Sequence, residues 1–146
     1  MDIIYRRMDA SNVNDMADLE AACFSQPWSA AQIAFEIDNP HAVYFCAMCD
    51  NKTVGFVGMH NIIGEGYITN VAVNSDYRRL GIADKLLELL YGYAEENSMD
   101  FISLEVRVSN APAISLYTKN GFIEEGRRKN FYELPREDAL IMTRRF

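Results

Sequence analysis

The sequence predicts a single α/β (α+β) domain over residues 1–146, with a mixed, mostly antiparallel sheet of about seven strands and about four helices. Three observations carry this. Residues 43–73 hold three β-rich runs separated by Asp50-Asn51-Lys52 and Gly64-Glu65-Gly66, turn signals of an antiparallel meander. Residues 67–108 then read strand, helix, strand, a crossover that creates a parallel pair. Finally, 146 residues of which 49% are hydrophobic and 24% charged suffice for one sizeable core, and no linker or low-complexity tract divides them.

In chain order, residues 3–7 make a first strand that ends at Met8-Asp9-Ala10. Ser11 or Asn12 caps a first helix in which Val13, Met16, Ala17, Leu19 and Ala22 or Cys23 fall near a 3.6-residue period. Ser25-Gln26-Pro27-Trp28 breaks it. Ser29 caps a short second helix with Ile33, Phe35 and Ile37 as apolar bulk, and Asp38-Asn39-Pro40 stops it. Trp28, the only tryptophan, is expected to plug the core between these helices rather than to wall a substrate site. The meander strands follow at 43–49, 53–63 and 67–73, with Gly55 and Gly58 marking a bulge or close backbone approach in the middle one.

A helix over about 82–96 carries Ile82, Leu86, Leu89, Leu90, Tyr93 and Ala94 as its buried stripe, and Asn97-Ser98 ends it. Residues 101–108 form a strand with Ile102, Leu104, Val106 and Val108 on one face and Phe101, Ser103, Glu105 and Arg107 on the other. Asn110 caps the last helix, Pro112 fits its first turn, and Asn120-Gly121 stops it. Strands at 122 to about 128 and 140–144 complete the sheet. The connection 129–138 is longer than a hairpin needs and is a candidate functional loop.

The net charge of −7 argues against direct nucleic-acid binding, which needs a basic surface. It suits a basic partner, or serves solubility. No run is long enough to span a bilayer and the first seven residues hold no signal-type apolar core, so no membrane association and a cytoplasmic location are expected. Three cysteines, an odd number, argue against a disulfide framework. Cys46 and Cys49, three apart on a strand, face opposite sides and make no redox pair or metal clip; with Cys23 they read as core thiols. Asn51-Lys52-Thr53 matches a glycosylation pattern, but without a secretory signal it is a turn. His41 and His60 are isolated, and the serine-elbow, G-x-G-x-x-G and Walker patterns are missing. No metal is expected, and acyl-serine chemistry has no support.

Candidate chemistry centres on Val71-Ala72-Val73-Asn74-Ser75-Asp76-Tyr77-Arg78-Arg79-Leu80-Gly81-Ile82-Ala83, a strand end delivered through a turn into a helix. Backbone N–H groups at the helix start have no intrahelical partner, the helix dipole adds roughly half a positive charge, and Gly81 keeps no Cβ between them and an anion. The stretch therefore reads as a phosphate cradle, or else as an ordinary turn with Arg78 and Arg79 solvated. Glu105, projecting from the neighbouring strand, is a candidate general base, directly or through water; the competing reading is an ion pair with an arginine such as Arg107. Tyr117, in the helix after that strand, is a candidate acid for a departing anion or a half-buried core residue. A phenol of pKa about 10 protonating a thiolate of conjugate pKa about 8.5 is uphill by roughly 2 kcal/mol, so a shift of its pKa would help.

Val71-Ala72-Val73, Arg78-x-x-Gly81-x-Ala83, Leu104-Glu105-Val106-Arg107, Ser109-Asn110, Leu116-Tyr117 and Asn120-Gly121-Phe122 resemble, in order and spacing, the GNAT superfamily of N-acetyltransferases. More narrowly, Pro27-Trp28-Ser29, Arg128-Lys129-Asn130-Phe131-Tyr132 and Arg136-Glu137-Asp138-Ala139 resemble the RimI-like ribosomal-protein-alanine N-acetyltransferases. The resemblance implies a sheet splayed at its middle and acetyl-CoA as cosubstrate. It implies that Val71, Ala72 and Val73 hold the acetyl-pantetheine arm, that Arg79, Leu80, Gly81, Ile82, Ala83 and Asp84 wrap the pyrophosphate with Arg78 beside them, and that Asn110 contacts the pantetheine. Glu105 would be the base and Tyr117 the acid, in direct transfer to the N-terminal amine of a basic, ribosomal protein. Tyr132 and the connection 129–138 would wall the peptide side, or form an ordered hairpin. Ala83 replaces a commoner second glycine. Asp84 stands where relatives often carry a basic residue, and its carboxylate is expected to point away from the ligand.

Overall fold

A computed structural model describes residues 2–146, and among them the strands pair antiparallel at every junction but one. In chain order the elements are β1 (Ile4–Arg7), α1 (Val13–Cys23), α2 (Ala30–Ile37), β2 (Ala42–Cys49), β3 (Lys52–Ile62), β4 (Glu65–Val73), α3 (Ile82–Glu96), β5 (Phe101–Arg107), α4 (Ala111–Lys119), β6 (Ile123–Glu133) and β7 (Arg136–Arg145). The described strands form one sheet in the order β1-β2-β3-β4-β5-β7-β6. The exception is β4 against β5, parallel and limited to Glu65–Phe101, Gly66–Ile102 and Tyr67–Ser103. Beyond Tyr67, β4 stays with β3 while all of β5 stays with β7. The sheet therefore splays between them, as the motifs imply.

A bulge bends β4 at that point. Gly58 faces Asn70 and Met59 faces Ile68, so Thr69 is an extra residue. Thr69 and Asn70 both turn to the face where Tyr44 lies: the Tyr44 and Thr69 hydroxyls bond at 2.9 Å, and the Asn70 amide donates to Glu20 at 2.7 Å. Gly58 is required opposite the bulge. A Cβ there would overlap the Tyr44 ring and stand 2.7 Å from Thr69 Oγ1. The expected alternatives at this glycine, bulge and close approach, thus hold together.

Strand alternation divides the core in two. Met16, Leu19 and Ile33 of α1 and α2 pack on Tyr44, Cys46, Phe56 and Ala72, with Trp28 partly buried at the margin. On the other face, α3 and Tyr117 of α4 cover Val43, Cys49, Val57, Leu104 and Val106. Cys46 and Cys49 lie in different cores, as their spacing predicts, and Cys23 is only partly buried.

Four local expectations are corrected. The buried stripe of α3 includes Leu87 and Tyr91 instead of Leu89 and Tyr93, because a second flank is covered where Tyr91 meets Phe122 at 6.2 Å. In α2, Ile33 is buried but Phe35 is 72% exposed; two residues on, it lies across the helix, and Glu36 takes the inward place by pairing with His60 at 2.7 Å. Asn12 does not cap α1 with its side chain; it closes a capping box with Asp9 around a 3₁₀ turn at Ala10–Asn12. The connection 129–138 is no loop: β6 and β7 stay paired to Glu133–Arg136, and the surplus residues form an irregularity between Arg128 and Tyr132, with Asn130 at φ 53° donating to Asp138 at 2.9 Å.

Gly58→Ala is expected to destabilise the fold by about 1–3 kcal/mol, the usual range for overpacking, read as a lower urea midpoint at unchanged slope. A midpoint equal to that of the unsubstituted protein would contradict the fit of Tyr44 against this glycine.

Candidate active site

The stretch after β4 enters α3 through a tight polar turn. Asn74 accepts from the Asp76 backbone at 2.9 Å and caps the 3₁₀ turn Ser75–Tyr77. Arg78 is extended, Arg79 has φ 64° and Gly81 has φ 76°, so two left-handed residues turn the chain onto the helix axis. Ile82 then plugs the core while Arg78, Arg79 and Leu80 stay exposed. Gly81 offers no side-chain cap, which leaves the first N–H groups of α3 directed outward, and nothing stands within 4 Å of where its Cβ would be. An anion fits this cradle by charge and by space.

Asp84, in the first turn of α3, reaches across to α4. Its carboxylate accepts from Asn120 Nδ2 at 3.0 Å and Lys119 Nζ at 3.1 Å. The Asn120 bond, then Lys119, holds its pKa below the ordinary carboxyl value. The side chain thus serves to join the start of α3 to the end of α4.

Val71 and Val73 turn toward the α3 core and Ala72 toward the other. Past Tyr67 the β4 edge facing the gap has no partner in β5. On the far side of the gap, Glu105 projects from the face of β5 opposite Leu104 and Val106, which is the α1–α2 face of the sheet. Its Oε1 lies 3.4 Å from Arg128 Nε, and its side chain is 32% exposed. The arginine weighed against its catalytic reading is therefore Arg128, not Arg107. Arg107 is held elsewhere: it pairs with Glu137 at 3.2 Å, donates to the Leu134 and Pro135 carbonyls, and covers the Tyr132 ring at 4.2 Å. Glu137 also accepts from the Ser109 N–H at 2.7 Å, and Ser109, through its hydroxyl first and its N–H next, then Arg107, holds the Glu137 pKa low. The β6–β7 hairpin is thereby fastened to the β5–α4 turn.

Tyr117 lies on the α3–α4 side, edge-on to Phe122 at 5.6 Å. Burial pushes its phenol well above the ordinary range, and Tyr132 adds to this. That shift opposes the one that would make it a stronger acid. Tyr132, raised by its own burial and then by the Glu105 charge, stands within electrostatic reach of both Glu105 and Tyr117. Asn110 caps α4 by accepting from Ala113 N–H at 3.2 Å. Glu105 thus stands on one side of the gap and Tyr117 on the other, with Tyr132 near enough to feel the Glu105 charge and the cradle at the open end of β4. One cavity of about 290 Å³ borders the cradle turn between Asp15, Cys23 and Arg78, and one of about 630 Å³ lies beside Tyr91, Lys119 and Arg144. Neither is lined by Glu105 or Tyr117; the candidate site is the splay itself. Among the described residues no His, Cys, Asp and Glu side chains gather as metal ligands would.

An anion cradle set across a gap in the sheet from a carboxylate suits a group-transfer enzyme. The chain belongs to the acetyltransferase (GNAT) family, whose sequence pattern matches residues 13–122. It is 35% identical over 127 residues to the ribosomal protein bS18-alanine N-acetyltransferase of Escherichia coli (strain K12), which covers 86% of this chain and 85% of that one. The crystal structure of the ribosomal-protein-S18-alanine N-acetyltransferase from Escherichia coli superposes with TM-score 0.90 at 30% identity, over 99% of this chain and 94% of that one. A chain of the NatC complex bound to Gag peptide and CoA gives TM-score 0.88 at 27% identity, over 100% and 99%. Family and fold are those the motifs imply.

Because the folded-state pKa of Asp84 is lowered, its contribution to stability is complete above the unfolded carboxyl value of about 4 and is lost as pH falls through the folded value. Asp84→Asn should therefore melt below the unsubstituted protein at pH 7, with the gap closing in acid. A gap that persists unchanged at the acid end would show that the carboxylate's charge is not what joins the helices.

Proposed function

We propose that this chain transfers the acetyl group of acetyl-CoA to the N-terminal amine of a protein, with the N-terminal alanine of ribosomal protein bS18 as acceptor. The observation that carries the reading is the placement of Glu105 on one face of the splay and of the uncapped α3 N-terminus and Tyr117 on the other. The names of the relatives support the chemistry, and the NatC complex holds both a peptide and CoA. Work in the cytoplasm on a basic acceptor accords with the net charge of −7. No helix among the described residues is long and apolar enough to cross a membrane.

We infer the roles from the resemblance to the family together with this geometry. The N–H groups of α3 from Ile82 onward, with Arg78, Arg79, Leu80, Gly81 and Ala83 around them, receive the pyrophosphate of acetyl-CoA. Val71, Ala72 and Val73 offer an unpaired strand edge to the pantetheine arm, and a backbone N–H there polarises the thioester carbonyl; Asn110 touches the same arm. Asp84 is occupied by Asn120 and Lys119 and does not oppose the phosphates. The acceptor ammonium comes from the Glu105 face, where the Arg128 guanidinium already shows that a cation is accommodated. Glu105, directly or through a water, removes its proton; an α-amine of pKa about 8 makes that easier than a lysine near 10.4. The amine nitrogen bonds to the acetyl carbon, the C–S bond breaks with its electron pair passing to sulfur, and the nitrogen gives up its second proton to water as the amide forms. Tyr117 remains protonated at neutral pH and donates a hydrogen bond to the leaving thiolate. Completing that proton transfer is uphill by more than roughly 2 kcal/mol, because burial strengthens the phenol's hold on its proton.

Turnover of acetyl-CoA is expected on peptides with a free N-terminal alanine and not on the same peptides with a blocked α-amine. Activity confined to lysine side chains or small amines would remove the proposed acceptor, and CoA binding without any turnover would make the chain a binding module. Glu105→Gln should lower kcat by about 100-fold or more, the usual size of a base effect, while leaving the acetyl-CoA dissociation constant nearly unchanged. Unaltered kcat would refute its role.

A further inference from the structure

The run Arg128-Lys129-Asn130-Phe131-Tyr132 carries part of the family resemblance, and the proposed chemistry leaves its first residue without a task of its own. Cross-strand register brings that residue to the base. Arg128 pairs with Ala139 of β7, Ala139 pairs with Arg107 of β5, and Glu105 stands two residues before Arg107 on the same face. The small Ala139 leaves the Arg128 side chain a path along that face, and its Nε comes to 3.4 Å from Glu105 Oε1. This is the face from which the acceptor amine approaches.

The two arginines at this face are held very differently. Arg107 donates to the Leu134 and Pro135 carbonyls, pairs with Glu137 and covers the Tyr132 ring, so it is fixed. Arg128 is 57% exposed and meets Glu105 through one edge, at a distance longer than a charge-assisted hydrogen bond. Its guanidinium also stands 5.9 Å from the exposed ring of Phe131, a second resting place for the cation. Beyond Arg128 the ladder with β7 is interrupted until Tyr132, so the backbone that follows does not clamp the side chain.

A guanidinium here has the charge of an acceptor ammonium without its chemistry. It stays protonated at neutral pH and presents no lone pair to an acetyl carbon, so it occupies the carboxylate without reacting. On the reading that this chain acetylates protein N-termini, we propose that Arg128 is an internal competitor for the acceptor. It rests on Glu105 while the acceptor side is empty, and an arriving ammonium displaces it toward Phe131. The contact thus raises the threshold for the acceptor and leaves acetyl-CoA binding untouched.

Kinetics with an alanine-starting peptide, read beside the Arg128 Nε–H signal in a nitrogen-15 NMR spectrum, test this. Because an exposed ion pair is weak, Arg128→Gln should lower the peptide KM by only about two- to fivefold, with kcat undiminished and the acetyl-CoA KM unchanged. Arg127→Gln removes the same charge one residue away, from an arginine paired with Glu124 instead, and should leave the peptide KM within about 1.5-fold. With Glu105→Gln already in place, Arg128→Gln should lower the peptide KM no further. The Arg128 signal, identified by its loss in Arg128→Gln, should shift on Glu105→Gln and move the same way when peptide and CoA are added to the unsubstituted protein.

A peptide KM that rises or stays put in Arg128→Gln would overturn the proposal, as would an equal fall in Arg127→Gln or an Arg128 signal indifferent to Glu105→Gln. A lower kcat in Arg128→Gln would overturn it too, since the arginine would then be positioning the base. If the unsubstituted protein acetylates no peptide with a free α-amine, the N-terminal reading fails and takes the proposal with it; turnover with an unchanged KM in the variant removes the proposal alone.

Discussion

Only Glu65–Phe101, Gly66–Ile102 and Tyr67–Ser103 join β4 to β5, and the placement of each candidate residue depends on the pairing stopping there. Had the parallel ladder continued, the β4 edge at Val71 to Val73 would be spent on β5, and Glu105 and Tyr117 would be walled off on opposite faces of an unbroken sheet. The bulge at Thr69 supplies the bend, and it is pinned by Tyr44, Glu20 and the bare backbone of Gly58. Because β4 leaves β5 while still bound to β3, it delivers the chain at the open end into α3, where the N–H groups without partners collect.

Ion pairing then fixes what surrounds the gap. Glu137 joins Ser109 and Arg107, so the β6–β7 hairpin is held to the start of α4, and the Tyr132 ring is held under the Arg107 guanidinium. Asp84 joins the two helices that flank the cradle. In each case a carboxylate accepts from a backbone N–H or side-chain amide as well as from a cation, which holds its position better than an exposed ion pair does.

Features set by local chemistry were legible in the sequence. The bounds of α3, the Ser29 and Asn110 caps and the Asn120-Gly121 stop follow from propensity, period and capping within a few residues. The strand alternation that places Glu105 opposite Leu104 is equally local. Features set by distant pairing were not. Arg107 looked like the partner of Glu105 because the two are neighbours in sequence; yet in the order β5-β7-β6, Arg128 reaches over the small Ala139, which pairs with both Arg128 and Arg107, to arrive at Glu105 from two strands away. The 129–138 connection read as a loop because one irregularity at Asn130 interrupts its alternation. The raised pKa of Tyr117 depends on a core that no local pattern describes.

The central claim is that acetyl-CoA and the acceptor amine occupy the splay together, one from each face, and that the acetyl group passes directly between them. Initial rates over a grid of acetyl-CoA and peptide concentrations test it most directly. Double-reciprocal lines that intersect, with no acetyl adduct on the protein after acetyl-CoA alone, are predicted; parallel lines with an acetylated protein would show that the chain itself carries the acetyl group and would contradict the account.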